Sequence, residues 1–300
     1  MRPSRREQAA VHQPVLPYEV RESLNLRPGL SVVDATVGAG GHSFEILHHI
    51  QPGGLLIGID RDPMMLDLAG QALHVPHPCV ALHQSSYVEL PDILAERSLT
   101  GVDRVLADLG LSSDQLADET RGFSFDADGP LDLRFDTSSG ESAAELLATR
   151  SADELARILS EYGEEPFSER IASAIVDSRR NSPIATAKEL AGLVTSAVLN
   201  RGKPSRHPAT LVFQALRIAV NEELQHVADF VERVLPQVVV PGGRAAIITF
   251  HSLEDRLVKR AFRQKQLWQT VTSKPLTASS VERRQNPRSR SAKLRVAVRT

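Results

Sequence analysis

A short buried strand that runs directly into a glycine-rich loop is the feature that most limits how this chain can fold. Residues 30–35 (LSVVDA) form an apolar run rich in β-branched side chains, which is typical of a buried strand. The loop 34–43 (DATVGAGGHS) follows, and a helical spacing of apolar residues begins after it. Glycines allow the backbone to turn sharply beside a ligand, and a helix N-terminus presents free N–H groups. The pattern predicts a ligand site at the carboxyl ends of parallel strands.

The same alternation of strand and helix continues along the chain. Further strands are predicted at 55–59, 79–82, 102–109 and 244–250, with a Pro-Gly-Gly turn at 241–243 before the last of these. Residues 293–298 (KLRVAV) alternate with period two, which predicts a late edge strand. Strands separated by helices at this spacing predict an α/β fold with a mostly parallel sheet.

One block of the chain departs from this alternation. From residue 141 to about 200 the pattern is helical only, with capping boxes formed by Ser151 with Glu154 and by Thr186 with Glu189. We therefore predict an inserted all-helical domain at 141–204 within an α/β domain formed by 12–140 and 205–300. Residues 1–11 are predicted to be a flexible tail.

Composition excludes several classes of protein. The single cysteine, Cys79, cannot form an intrachain disulfide; it fits a reducing compartment, and it is expected to be a small buried apolar residue. No apolar run approaches the ~20 residues of a membrane span, and the N-terminus lacks the pattern of a signal peptide. A cytoplasmic protein without a membrane segment is therefore expected. The acidic residues 126, 128 and 132 lack the late glutamate of a calcium loop, so no metal site is expected.

Charge is distributed unevenly along the chain. The last 45 residues hold 13 Lys and Arg but one acid, Glu282, so this segment carries +12 while the chain as a whole carries −2. The segment is interpreted either as a surface for a polyanion or as a solvated basic tail. In the first case Arg283, Arg284, Arg288, Arg290, Lys293 and Arg295 would contact phosphate.

The loop sequence distinguishes between ligand classes. Ser43 occupies the third position of the dinucleotide fingerprint G-x-G-x-x-G, and no P-loop sequence is present. An acid that ends a strand, followed by a compact G-x-G-G, resembles motif I of class I methyltransferases. Asp60, 20 residues after Gly40 and at the end of the second strand, is placed to accept hydrogen bonds from a ribose. Tyr87 is a candidate for contact with an adenine face.

Each of these residues also has a purely structural interpretation. The glycines would serve a tight turn, Asp60 would cap the following helix and Tyr87 would belong to the core. Asp108 ends the fourth strand, where methyl donor and acceptor should meet. The four features in this order favour a methyltransferase.

Longer stretches carry a more specific resemblance. The chain resembles the bacterial small-subunit ribosomal RNA cytosine-N4 methyltransferases, the ribosomal RNA methyltransferase H (MraW) family, over residues 12–299. The similar stretches are HQPVL (12–16), DATVGAGGHS (34–43), IDRDP (59–63), DLGLSS (108–113), RGFSF (121–125), DGPLD (128–132), YGEE (162–165), HPAT (207–210), FHSLED (250–255) and NPRSRS (286–291).

This resemblance implies a class I (Rossmann-like) methyltransferase with a helical insert. It implies S-adenosyl-L-methionine as the donor, the N4 amino group of a decoding-region cytosine as the acceptor, and the small ribosomal subunit with its rRNA as the partner. By motif match the cofactor contacts are Gly40, Gly41, His42, Asp60, Tyr87, Asp108 and Gln115. The sequence does not fix the oligomeric state, and a homodimer is one option.

The catalytic group follows less directly from the pattern. Many amino methyltransferases carry [DN]-P-P-[YF] after the fourth strand, whereas this chain has DLGLSS (108–113). Our hypothesis is that Asp108 accepts from the target amino group or orients the donor, or does both. His251 and Ser252 are secondary candidates, with Ser252 and Asp255 also fitting a helix N-cap.

Three other functions remain open at this point. They are methylation of DNA or a small molecule, nicotinamide-dependent oxidation or reduction, and RNA binding without catalysis. The basic C-terminal segment disfavours a small-molecule substrate, and Ser43 disfavours a nicotinamide cofactor.

Overall fold

The chain divides into two compact units. A computed structural model describes residues 14–125, 127–198 and 207–300, so the predicted tail at 1–11 and Asp126 lie outside the described residues. The first unit combines the chain up to Ser112 with Gln225–Thr300, and the second is Ser113–Leu224. The insert predicted at 141–204 lies inside this second unit, which extends further in both directions. The assignment of these units as domains stays a prediction.

The first unit is built on one sheet, which has seven strands in the described part of the chain. They are β1 (Ser31–Asp34), β2 (Leu55–Asp60), β3 (Val80–Gln84), β4 (Val102–Asp108), β5 (Val239–Thr249), β6 (Trp268–Thr270) and β7 (Lys293–Arg299). Their order across the sheet is β3-β2-β1-β4-β5-β7-β6. Strands β1 to β5 pair in parallel, whereas β7 is antiparallel to both β5 and β6. This mostly parallel sheet confirms the predicted fold class.

Helices follow most of the parallel strands, as the sequence pattern predicts. They are α1 (Pro17–Leu24), α2 (Gly41–Ile50), α3 (Pro63–Ala72), α4 (Leu90–Glu96), α5 (Ser113–Ala117), α6 (Ala143–Thr149), α7 (Ala152–Gly163), α8 (Ser168–Arg179), α9 (Ala187–Ala197), α10 (Thr210–Asn221), α11 (Glu223–Asp229), α12 (Leu235–Val238), α13 (Ser252–Phe262) and α14 (Glu282–Gln285). A π-helical turn at Phe230–Val234 connects α11 to α12.

Both faces of the central strands are buried. Neighbouring residues of a strand point to opposite faces, so Val32 and Val33 of β1 enter two different apolar clusters, and Leu56 and Ile57 of β2 do the same. Each such fully buried aliphatic side chain stabilises the fold by about 1.5–3 kcal/mol. Because neither face meets water, these strands are continuous apolar runs in the sequence.

The prediction of an edge strand at 293–298 is wrong. Strand β7 lies inside the sheet, between β5 and the three-residue strand β6. The polar positions of β7 therefore do not mark an open edge. The edge strand β6 is anchored by Trp268, which is buried against Phe262 with ring centroids 5.3 Å apart. A strand of three residues is too short to show a period in the sequence.

The turn predicted at 241–243 is also wrong, because these residues lie within β5. Val102 pairs with Val239, whereas Arg104 pairs with Arg244, so β5 contains three more residues than β4 across this interval. Such an irregularity is a bulge. Gly243 permits it, since a Cβ there would lie 2.7 Å from the Val240 carbonyl oxygen and 2.9 Å from that of Asp103.

Two features of the second unit follow from its sequence: the caps of α7 and α9, and the close packing of α7 on α10. Both predicted capping boxes are confirmed, at Ser151 and at Thr186. The sequence YGEE (162–165) is explained by packing: a Cβ on Gly163 of α7 would lie 2.6 Å from the carbonyl oxygen of Leu211 in α10. Glycine at this position allows the two helices to pack closely.

Two distant parts of the sequence meet at one end of the first unit. The backbone N–H of Leu16 donates to Oε1 of Glu282 at 2.7 Å, and Nδ2 of Asn286 lies 3.4 Å from the Pro14 carbonyl oxygen. Pro14 and Leu16 are thus joined by hydrogen bonds to the C-terminal segment that contains Glu282 and Asn286.

Candidate active site

The glycine loop connects β1 to α2 at the carboxyl end of the sheet. Gly38 and Gly40 have positive φ angles of 52° and 86°, which non-glycine residues rarely adopt. A Cβ on Gly40 would also lie 3.4 Å from the Cα of Ala69 and from the Cβ of Ala72. The loop therefore packs against α3, and the first N–H groups of α2 remain at the strand ends.

Asp34, the acid that ends β1, is hydrogen-bonded to Ser43 at the far end of the glycine loop. Asp34 is buried, and its Oδ2 accepts the hydroxyl hydrogen of Ser43 at 2.7 Å. Burial raises the pKa of Asp34, which nearby His42 and the Ser43 hydroxyl partly oppose. The serine that breaks the dinucleotide fingerprint is thus explained by a hydrogen bond to the strand end. Sequence reasoning did not identify this pair, because nothing in the spacing joins residues 34 and 43.

Asp60 lies at the end of β2, beside the loop. Its Oδ2 accepts the N–H of Gly38 at 2.9 Å, and its Oδ1 accepts the N–H of Asp62 at 3.0 Å. The cap of α3 is Asp62, whose side chain accepts from Met64 N, so Asp60 is not the helix cap. The carboxylate of Asp60 is half-buried. It is placed to accept further hydrogen bonds from a hydroxylated ligand beside the loop.

Asp108 and His42 lie together at the other side of the loop. The backbone N–H of Asp108 donates to Thr36 Oγ1 at 2.6 Å, and its Oδ1 accepts the N–H of Gly110 at 3.2 Å. Nε2 of His42 is 3.7 Å from Asp108 Oδ2. This Nε2 is buried and has no hydrogen-bond partner among the described residues. Because buried polar atoms are usually hydrogen-bonded, this nitrogen has the capacity for one further hydrogen bond, to water or to a ligand.

Tyr87 belongs to an aromatic cluster beyond the ends of β2 and β3. Its ring lies 4.6 Å from that of Phe230 in the π-helical turn and 6.3 Å from that of His226. His226 Nδ1 is also 3.3 Å from both Arg61 NH1 and Ser86 Oγ. Tyr87 is only partly buried and packs against the apolar cluster that contains Phe230, so it is not a fully buried core residue. Sequence reasoning missed His226, which is 139 residues away in the chain.

Two of the predicted site residues, Asp60 and Asp108, each meet the glycine loop within the first unit. Asp60 joins the loop through Gly38, and Asp108 joins it through His42. Gln115, on the short helix α5, is buried and belongs to the second unit. Its role in binding the cofactor stays a prediction, as do the roles of the other predicted contacts.

The turn after β5 corrects one expectation. Helix α13 begins at Ser252, and its N-cap is His251, so the cap predicted at Ser252 is wrong. Buried Glu254 closes the turn: its Oε2 accepts the N–H of Phe250 at 2.8 Å and that of His251 at 3.3 Å. His251 Nε2 lies 2.8 Å from Glu254 Oε1. Ser252 thus does not cap the helix, and His251 stays a secondary catalytic candidate.

The basic segment is only partly available to a ligand. Arg295 makes two hydrogen bonds to Asp255, at 2.7 and 3.1 Å, and Lys293 Nζ lies 3.7 Å from the same carboxylate. These interactions lower the pKa of Asp255 although burial opposes the shift. Arg295 is therefore a structural residue, contrary to the expected phosphate contact. The exposed arginines of this segment include Arg283, Arg284 and Arg290.

Three further expectations concern Cys79, metal and membrane. Cys79 is half-buried rather than buried, with Sγ 3.7 Å from Gln51 Oε1, because it precedes β3 instead of lying inside it.

In the ranges 14–125, 127–198 and 207–300, no group of three or more His, Cys, Asp or Glu residues is arranged to hold a metal ion. Nor does any helix in the described ranges have the length and apolarity needed to cross a membrane.

A comparison with known families decides the assignment. The model of the MraW methylase family matches residues 9–300. The chain belongs to this family. The resemblance seen in the ten sequence stretches is thereby confirmed over nearly the whole chain.

Curated relatives of this MraW family chain have similar lengths. A protein from Cyanothece sp. named ribosomal RNA small subunit methyltransferase H is 49% identical, with 100% of this chain and 98% of the relative covered. A protein of the same name from Trichlorobacter lovleyi is 45% identical over 95% of this chain and 97% of the relative. Among solved structures, TrmN from Thermus thermophilus is 16% identical and has a TM-score of 0.45, with 95% of this chain and 48% of that chain covered.

Binding of the methyl donor by this MraW family chain should weaken in acid. Partial burial of Asp60 raises its pKa to about 6, although the N–H groups of Asp62 and Gly38 oppose the rise. Asp60 is predicted to hold the ribose of the donor, and only its ionised carboxylate would accept from both hydroxyls, so the affinity should be highest above pH 6 and fall as the pH drops below 6. At pH 5 about one tenth of the ionised form remains, and we expect the dissociation constant of S-adenosylhomocysteine to rise about tenfold from its value at pH 7.5.

Isothermal titration calorimetry at pH 7.5, 6 and 5 measures this effect. The matched control is Asp60→Asn, which cannot ionise at this position and should show a weak affinity that changes much less with pH. A wild-type affinity that is constant between pH 7.5 and 5 would contradict the assignment of Asp60.

Proposed function

We propose that this protein transfers a methyl group from S-adenosyl-L-methionine to the N4 amino group of a cytosine in small-subunit ribosomal RNA, in the cytoplasm. The observation that carries the proposal is the glycine loop flanked by two carboxylates, Asp60 through Gly38 at 2.9 Å and Asp108 through His42 at 3.7 Å. Membership of the MraW methylase family and the names of the relatives support the reaction and the substrate.

The residues around the loop fit the donor. Its amino-acid part would lie against Gly40 and Gly41 at the start of α2, where N–H groups in the first turn of the helix can donate hydrogen bonds to a carboxylate. Its ribose would bond to Asp60, and the partly exposed ring of Tyr87 would face the adenine. The buried Nε2 of His42 would gain a hydrogen-bond partner that the described residues do not supply.

The acceptor chemistry requires little covalent help from the protein. S-adenosyl-L-methionine supplies an electrophilic methyl carbon bound to a sulfonium. The cytosine N4 lone pair is delocalised into the ring, and it becomes nucleophilic when acceptors hold the amino hydrogens out of the ring plane. Asp108 is the acceptor placed at the end of β4, and it would bring the amine and the methyl carbon into line.

Recognition of RNA would use the exposed part of the basic segment. Arg283, Arg284 and Arg290 are exposed, whereas Lys293 and Arg295 further along the chain are paired with Asp255. Each phosphate that the exposed arginines neutralise releases counterions. Substitution of Arg283 and Arg284 by Ala should reduce the slope of log affinity against log salt by about 0.7–0.9 for each phosphate that is no longer neutralised. Filter binding of small-subunit RNA over a range of salt concentrations would measure the slopes, and equal slopes for variant and wild type would argue against this surface.

Labelled methyl transfer tests the proposed reaction most directly. Small ribosomal subunits that lack the modification are incubated with the protein and a donor carrying a labelled methyl group, and the RNA is digested for nucleoside mass spectrometry. The expected product is N4-methylated cytidine. Label in DNA or in a small molecule would favour those alternative substrates, and binding of NADH instead of S-adenosylhomocysteine would favour an oxidoreductase. RNA binding with neither donor affinity nor label transfer would leave the non-catalytic alternative.

A further inference from the structure

Three aromatic rings form a ladder from the interior of the second unit to its surface. Phe213 of α10 is buried, and its ring meets that of Phe125 edge-on at 4.8 Å. Phe125 is half-buried and stacks on His207 with the ring planes 16° from parallel and the centroids 4.7 Å apart. His207 is exposed. The ladder therefore ends in an imidazole at the protein surface.

The local backbone fixes the orientation of this imidazole. Nδ1 of His207 accepts the N–H of Ala209 at 3.2 Å. The His207 carbonyl oxygen accepts both the N–H of Thr210 at 3.0 Å and its hydroxyl hydrogen at 2.8 Å. A ring held by its neighbour and by its own backbone loses little conformational entropy when a ligand binds. The arrangement is preorganised.

The hydrogen bond also selects the tautomer. Because Nδ1 accepts a hydrogen bond, the proton of the neutral ring is on Nε2, which is therefore a donor. His207 thus offers a planar π surface together with an N–H in the plane of that surface. An aromatic ring stacked on one face and exposed to solvent is the form in which proteins bind unpaired bases.

We infer that His207 is a stacking platform for an unpaired nucleobase of the RNA substrate, with Phe125 and Phe213 as its support. The inference rests on the proposed function, since RNA is the ligand that supplies such bases. Single-stranded RNA presents bases that lack a stacking partner on one face. A flat aromatic end to the ladder would supply that partner without reading a specific sequence.

The test compares His207→Ala with His207→Phe. Removal of the ring should weaken the binding of a short, fluorescein-labelled single-stranded RNA by about tenfold or more, while Phe should keep the affinity close to that of the wild type, because stacking on one base is retained. The affinity for S-adenosylhomocysteine and the melting temperature should be unchanged in both variants. Fluorescence anisotropy, calorimetry and thermal melting measure the three quantities.

The chain offers a matched control in His77. Its Nδ1 accepts the N–H of Cys79, two residues on, at 3.2 Å, so it repeats the local turn of His207 and Ala209. Within the described ranges it has no ring contact with another aromatic side chain. His77→Ala should leave RNA affinity unchanged. An equal loss in His77→Ala and His207→Ala would overturn the inference.

A fluorescent variant reports the stacking itself. The only tryptophan of the chain, Trp268, is buried, so its emission is shielded from RNA and can be subtracted with the wild-type spectrum, which leaves the emission of the ring introduced by His207→Trp. Quenching by the RNA, and none by the same oligomer with abasic sugars, is expected if a base stacks there. Unquenched emission in the presence of bound RNA would overturn the inference.

The outcomes separate this inference from the proposed function. If the wild type methylates small subunits and His207→Ala binds RNA as tightly as the wild type, the platform is refuted and the proposed function stands. If the wild type transfers no methyl group but His207→Ala still loses RNA affinity relative to His207→Phe, the reaction is refuted and the platform stands. Failure of the wild type to bind the oligomer would count against the platform.

Discussion

Replacement of Asp108 by Asn is expected to lower the turnover of methyl transfer about 100-fold. Asn keeps the shape of the side chain, and its amide oxygen can still accept the N–H of Gly110, as Oδ1 of Asp108 does at 3.2 Å. The substitution removes the negative charge that faces His42 and would accept from the target amine. Since the backbone turn is retained, the affinity for S-adenosylhomocysteine should fall by less than about tenfold, equivalent to about 1.4 kcal/mol.

Single-turnover transfer of labelled methyl measures this rate, and calorimetry measures the affinity. The matched control is Asp92→Asn, the same substitution in the first turn of α4, away from the glycine loop, for which both values should equal those of the wild type. Normal donor binding with full turnover in Asp108→Asn would refute the catalytic role of this carboxylate.

Replacement of Asp60 by Ala is expected to weaken donor binding about 100-fold or more, because the side chain would accept two hydrogen bonds from the ribose and a bond to a charged acceptor contributes about 1.5–3 kcal/mol. The substitution also removes the acceptor for Gly38 N–H at 2.9 Å, so the glycine loop is no longer attached to β2 at this point. Both the lost ribose contact and the released glycine loop should weaken donor binding.

Equilibrium binding of S-adenosylhomocysteine measures the loss. Asp67→Ala is the control, because Asp67 belongs to the neighbouring helix α3 and is not one of its buried residues, so its removal should not change the affinity. Circular dichroism would show that both variants are folded. A dissociation constant close to that of the wild type in folded Asp60→Ala would mean that the ribose is held elsewhere.

The sequence was most informative about the residues that end the strands. Asp60 and Asp108 were predicted at strand ends from buried apolar runs alone, and parallel pairing of β1 with β2 and with β4 places both at the same edge of the sheet. The approach of His42 to Asp108 was not predictable. It depends on where the first turn of α2 lies over β4, and spacing along the chain does not encode that position.

Contacts between distant segments were missed for the same reason. His226 meets Tyr87 close to the π-helical turn, and a π-helical turn has no period that sequence patterns reveal. The turn of His207 follows from a local hydrogen bond, but its stacking on Phe125 joins residues 82 positions apart. Only the packing of the second unit brings these rings together.

By itself the sequence determined the mostly parallel α/β class, the glycine loop and the capping boxes at Ser151 and Thr186, because each depends on interactions within a few residues or on burial of both strand faces. The tertiary structure alone decided that β7 lies inside the sheet, that residues 241–243 form a bulge, and that Arg295 pairs with Asp255. These features depend on which neighbour occupies the space beside a strand. Local propensity contains no information about that neighbour.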